Sequence, residues 1–121
     1  MQVPEKYYDL YKDIDPSNFY DEVTYEMTER DVNDAKKIYG MVTNIDENFG
    51  KLLYKLEELD IKENTIVIFL TDNGPQQTRY VSNLRGLKSE VYNGGIKVPF
   101  YFRYPKLYKK AEDIDFFGAH I

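Results

Sequence analysis

The chain has 121 residues, enough for one domain with a core of its own, and its 42% hydrophobic and 31% charged residues match globular usage. Twelve Tyr and seven Phe argue against disorder throughout, and a formal charge of −5 argues against a general nucleic-acid binder, which needs a basic face for phosphates. The absence of Cys removes disulfides and thiolate metal sites, no apolar run approaches the roughly 20 residues of a membrane span, and "MQVPEKYYDLY" lacks a basic-then-apolar signal pattern.

In chain order, "VPEKYYDLYKD" predicts a short helix from Pro4, since Pro suits a first helical turn, and "DIDPSNFYDEV" reads as a loop. The strongest periodic signal runs from Thr28 to Leu59. Val32, Ala35, Tyr39, Val42, Ile45, Phe49, Leu52, Leu56 and Leu59 are spaced by three or four, one stripe of an α-helix. Thr28 suits the N-cap, and Glu29 and Asp31 suit the positive end of the helix. Gly40 and Gly50 each weaken the helix by about 1 kcal/mol relative to Ala, and are expected to permit close packing against a sheet. "DIKEN" (Asp60 to Asn64) supplies the turn out.

"TIVIFLT" (Thr65 to Thr71) is β-branched and apolar on both faces, as a central strand covered by helices on each side would be. A long helix feeding such a strand is half of an α/β unit. Asn73 to Gly95 is polar and glycine-bearing, a loop of the length that usually carries function. "VPFYFRY" (Val98 to Tyr104) predicts a second strand with Pro99 near its start, and Pro105 ends it.

Chemistry concentrates in two stretches. Asp72 and Asn73 follow the carboxyl end of the first strand, where open α/β sheets bind ligands, and their oxygens suit Ca²⁺ or Mg²⁺. Asn73-Gly74 is equally a turn signal, so turn and metal site both stand on this evidence. "LRGLKSEVYNGGIKVPF" (Leu84 to Phe100) sets Arg85 and Lys88 among Gly86, Gly94 and Gly95. Cations beside open backbone amides can hold a sulfate or phosphate, and a solvated basic loop is the alternative. Together the stretches suit metal-assisted attack on a charged ester. No Ser stands in a G-x-S-x-G context, and the one His, His120, sits in apolar "FFGAHI" as a structural residue would. Asp46 and Glu47 fit a helix surface or a sheet-facing hydrogen bond better than an acid–base pair.

The two stretches resemble the C-terminal part of the catalytic domain of a type I sulfatase, in the alkaline-phosphatase-like superfamily. "AKKIYGMVTNIDENFGKLLYKLEEL" resembles that family's long helix, "NTIVIFLTDNG" its metal strand and "LRGLKSEVYNGGIKVPFYFRYP" its pattern of Arg, Gly, Lys, aromatic, Gly-Gly and Val-Pro. "QVPEKYYDLYKD" and "GAHI" resemble flanking segments. The resemblance implies an α/β fold with the long helix and strands of a mixed sheet covered by helices. It implies residues 1–121 as a single piece of the domain, cut at both ends. It implies sulfate-ester hydrolysis with a formylglycine nucleophile and Ca²⁺, with Asp72 and Asn73 as metal ligands and Lys88 on a sulfate oxygen and the leaving group. Arg85 matches a family position without an assigned role.

The Cys/Ser-x-Pro-x-Arg motif from which formylglycine is made is not in this sequence. Leu87 stands where the family favours Gly, and Asn93 where an acid precedes Gly-Gly. The expectation is therefore a chain that is inactive by itself, whose parent acts on a sulfated small molecule or glycan in the periplasm, a lysosome or outside the cell. Two other readings remain. One is a phosphoester or phosphonate hydrolase of the same superfamily. The other is a non-catalytic chain that associates with itself or a partner.

Overall fold

The computed structural model describes residues 2–19, 26–115 and 118. In order, the elements are α1 (Glu5–Tyr8), a 3-10 turn (Pro16–Phe19), α2 (Glu29–Glu58), a 3-10 turn (Lys62–Asn64), β1 (Val67–Leu70), α3 (Asn93–Ile96) and β2 (Phe100–Arg103). His120 lies outside the described residues, as do Tyr20 to Val23 of the expected early loop.

α2 starts where its sequence dictates. Thr28 is extended, and its hydroxyl oxygen accepts the Asp31 amide at 3.2 Å. The Asp31 carboxylate accepts the Thr28 amide at 2.9 Å, completing a capping box. The Thr28 hydroxyl and amide hydrogen bonds hold the Asp31 carboxyl below its ordinary value. At the other end Asp60, with φ 54, turns the chain out of the helix toward β1.

Thirty residues make a rod of about 45 Å, so α2 can serve two neighbours at once. Its first half carries α1 and the strap that follows. Tyr7 and Ala35 are buried there, Tyr11 Oη lies 2.6 Å from Thr43 Oγ1, and Lys36 Nζ donates to the Lys12 carbonyl at 2.8 Å. A Cβ on Gly40 would lie 3.0 Å from the Tyr7 carbonyl oxygen. Gly40 therefore admits the α1 backbone, not the expected sheet, and Gly50 meets nothing within 4 Å. The second half of α2 reaches the sheet through Phe49, whose ring stands edge-on to Phe69 at 5.6 Å.

β1 and β2 pair antiparallel, with Val67 opposite Arg103 and Phe69 opposite Tyr101. Both strands are shorter than expected, and Pro99, which has no N–H to give a ladder, lies just outside β2. Successive side chains alternate between faces. Val67 and Phe69 turn toward α2, whereas Ile68 and Phe102 remain about half exposed. Among the described residues the strand is thus covered on one face, not both, and the two strands form one antiparallel pair. No described helix is long and apolar enough to cross a membrane.

Candidate metal and anion site

β1 ends at Leu70, and the chain leaves it through Asp72, Asn73 and Gly74. Asp72 Oδ1 accepts the Asn73 amide at 3.0 Å, and Asn73 Nδ2 donates to the Gly74 carbonyl at 2.9 Å. These bonds orient both side chains and leave Asp72 Oδ2 and Asn73 Oδ1 without a donor among the described residues. Asp72 is exposed and Asn73 half-buried. The turn reading and the ligand reading are therefore compatible, because the turn's own hydrogen bonds present the two oxygens.

The long loop folds back onto this turn. Gly74 donates its amide to the Gly95 carbonyl at 2.8 Å, and Lys88 donates its amide to the Pro75 carbonyl at 2.7 Å. Gly94 in turn donates to the Arg85 carbonyl at 2.7 Å. These backbones touch because they lack side chains. A Cβ on Gly94 would run into the Arg85 and Gly86 carbonyl oxygens, and one on Gly74 would strike the Gly94 carbonyl. Gly86 also needs its freedom of φ, at +107°. So the Gly-Gly pair in the single turn of α3 is a packing requirement. It locks the lysine-bearing loop against the end of β1.

Arg85 does not stand free beside Lys88. Its guanidinium lies over the Tyr92 ring, 4.0 Å from the centroid, a contact worth about 0.5–1 kcal/mol at an exposed position. Lys88 is exposed and has no ion pair among the described residues. It is the cation of this loop left open to a ligand. No group of three or more His, Cys, Asp or Glu is gathered among the described residues. Asp72 and Asn73 present two hard oxygen donors, fewer than the six to eight that a Ca²⁺ ion takes.

Asp46 is exposed on α2. Glu47 works away from the loop, binding α1 to α2. Its Oε2 accepts the Tyr7 hydroxyl at 2.6 Å and Lys6 Nζ at 3.4 Å, and Lys51 Nζ lies 3.2 Å from Oε1. The Tyr7 hydrogen bond, then the Lys51 one, holds the Glu47 carboxyl down at about 2. Sequence reasoning missed this clasp, and it missed Pro75, Glu90 and Tyr92 as supports of the loop. Their partners are distant in sequence or carry no motif, apart from the three-residue spacing of Leu87 and Glu90. A groove of about 440 Å³, lined by Leu10, Tyr11, Ile14, Phe19, Tyr39 and Val42, belongs to the strap and α2 rather than to this loop.

Strand end, oxygen-donor turn and cationic loop form one hydrogen-bonded unit, suited to holding a hard cation beside an anion. The sulfatase family model matches residues 2–120, and the chain belongs to that family. It is 26% identical to an endo-4-O-sulfatase of Bacteroides thetaiotaomicron over 91% of this chain and 22% of that protein. An ulvan-active sulfatase of Formosa agariphila is 30% identical over 88% of this chain and 20% of its own length. An arylsulfatase of Clostridium perfringens is 28% identical over 87% of this chain and 25% of its own length. The chain thus spans a fifth to a quarter of the length of these relatives.

Proposed function

We propose that these residues supply the calcium-ligand and leaving-group side of a sulfatase active site, as one piece of a longer alkaline-phosphatase-like domain. The observation that carries this is the Lys88–Pro75 backbone bond of 2.7 Å, which ties the cationic loop to the chain just past Asp72 and Asn73. The donor chemistry fits Ca²⁺: one carboxylate and one amide oxygen, both hard, both free of donors among the described residues. When bound, the cation would polarise the sulfate group, and a formylglycine supplied from outside these residues would provide the nucleophile.

The roles of this chain's own residues follow. Asp72 and Asn73 would hold the cation with their hard side-chain oxygens. Lys88 sets its ammonium against the ester oxygen that takes up negative charge as the S–O bond breaks. That contact strengthens toward the transition state, which is where binding energy accelerates a reaction. The substrate class is a sulfate ester on a small molecule or a glycan, and the names arylsulfatase and ulvan-active sulfatase support the ester as the common element.

The test is calcium-dependent turnover of an aryl sulfate by the full-length enzyme that carries this sequence. Asp72→Ala should abolish the calcium-dependent activity. Unchanged metal dependence in that variant would overturn the assignment, and faster turnover of an aryl phosphate than of the sulfate would move the enzyme to phosphoryl transfer.

A further inference from the structure

Lys88 sits in a turn whose geometry its own residues do not favour. The Glu90 amide donates to the Leu87 carbonyl at 3.0 Å, which closes a β-turn with Lys88 and Ser89 at its centre. Ser89 has φ +72°. That is the third position of the turn, where a positive φ favours Gly because a Cβ crowds the backbone. A second bond closes the same turn from the other direction: the Leu87 amide donates to Glu90 Oε2 at 2.8 Å. Leu87 and Glu90 therefore grip each other twice, with Lys88 between them. Gly95 is buried directly beneath, where any Cβ would run into the Leu87 and Glu90 carbonyls. The clamp is thus seated on the glycine pair, and the Lys88–Pro75 bond fastens it to the metal turn.

We infer that Glu90 is a positioning residue for Lys88: its carboxylate, by accepting the Leu87 amide, holds the strained turn that aims the lysine at the site. This rests on the sulfatase reading of Lys88 given above. Glu90 acts through the turn and touches neither cation nor ester. An acceptor at its side-chain tip is what the role needs, and the charge itself is dispensable. The turn also has a second route to stability, since Gly at position 89 removes the crowding that the clamp opposes.

The experiment compares Lys88→Ala, Glu90→Ala, Glu90→Gln and the double change Glu90→Ala with Ser89→Gly in the full-length enzyme, using an aryl sulfate with calcium. Glu90→Ala should lower kcat about tenfold with little change in KM, because a small displacement of a reacting group costs rate more than binding. Glu90→Gln, whose amide oxygen still accepts the Leu87 N–H, should stay within about threefold of the parent, and Ser89→Gly should restore the alanine variant to about the same level. If Lys88→Ala leaves turnover intact, the reading of Lys88 as the leaving-group contact falls and takes this inference with it, while the turnover itself keeps the sulfatase reading. If Lys88→Ala slows turnover and Glu90→Ala does not, only the positioning role falls. A loss that neither Gln nor Ser89→Gly repairs also overturns it. Should Glu90→Ala fail to fold, amide hydrogen exchange at Leu87 decides. Protection well above that of an open loop amide supports the clamp, and exchange at the open rate overturns it.

Discussion

At Lys88 the chain combines an open ammonium with a fixed backbone, and the two features have separate consequences. Its amide is held by the Pro75 carbonyl at 2.7 Å, so removing the side chain should leave the loop in place. Lys88→Ala should therefore reduce kcat by about two orders of magnitude and change KM less, since the charge matters most as the leaving oxygen becomes anionic. Steady-state kinetics on an aryl sulfate check this, and an effect confined to KM would place the lysine in substrate binding alone. Glu47 makes a different prediction, in acid. Its carboxyl is held at about 2 in the folded chain against an ordinary 4.5, chiefly by the Tyr7 hydroxyl. The folded state thus binds the proton more weakly than the unfolded one. The stabilisation is present above about pH 4.5 and is lost as pH falls toward 2. Tyr7→Phe removes the largest cause, so its Tm should fall less than the parent's between about pH 6 and pH 3. Identical pH dependence in both proteins would show that the clasp contributes nothing, as water can screen a half-exposed carboxylate.

At the scale of the element, α2 organises what is described. It takes α1 on its first half at Ala35 and Gly40 and the sheet on its second half at Phe49. Its start rests on a reciprocal pair of side-chain bonds at Thr28 and Asp31. Thr28→Ala should cost about 1 kcal/mol, because it strands an amide at the helix end without an acceptor. Thermal or urea unfolding followed at a helical wavelength measures it, and a loss no greater than that of an exposed mid-helix Thr would mean that the cap frays in solution. The loop from Asn73 to Gly95 is the opposite kind of element. It has one short helical turn, α3, and its order comes from backbone bonds between segments: Gly74 to Gly95, Lys88 to Pro75 and Gly94 to Arg85.

Over the molecule as a whole, apolar surface exceeds what the described elements cover. Val42 on α2 is 56% exposed, and Ile68 and Phe102 on the open sheet face are 50% and 47% exposed. Arg103 adds a buried Nη1 with no hydrogen-bond partner among the described residues, a cost that an acceptor from another layer would remove. Among the described residues, two strands leave both sheet edges open to pairing with another chain. The 121-residue chain by itself should therefore associate with further copies as concentration rises, detectable by sedimentation velocity over a micromolar range. A single monomeric species at every concentration would show that these faces are tolerated in water.

α2 was legible to within a residue because period and cap agree: the stripe from Val32 to Leu59 is local, and Thr28 with Asp31 marks its start without any tertiary partner. The strand cores, Val67–Leu70 and Phe100–Arg103, were legible for the same reason, through β-branched and aromatic composition next to Pro99 and Pro105. Asp72, Asn73 and Lys88 could be named as candidates because their residue types and order restrict the chemistry. Several matters lay beyond the sequence: that Gly40 faces α1, that Arg85 stacks on Tyr92, and that Glu47 is a clasp. The same holds for Glu90, which closes the turn carrying the lysine. Side-chain pattern records how a segment relates to its own axis, and it fixed the elements here. Which backbone comes to rest against which glycine depends on contacts between distant segments, and only the tertiary structure decides those.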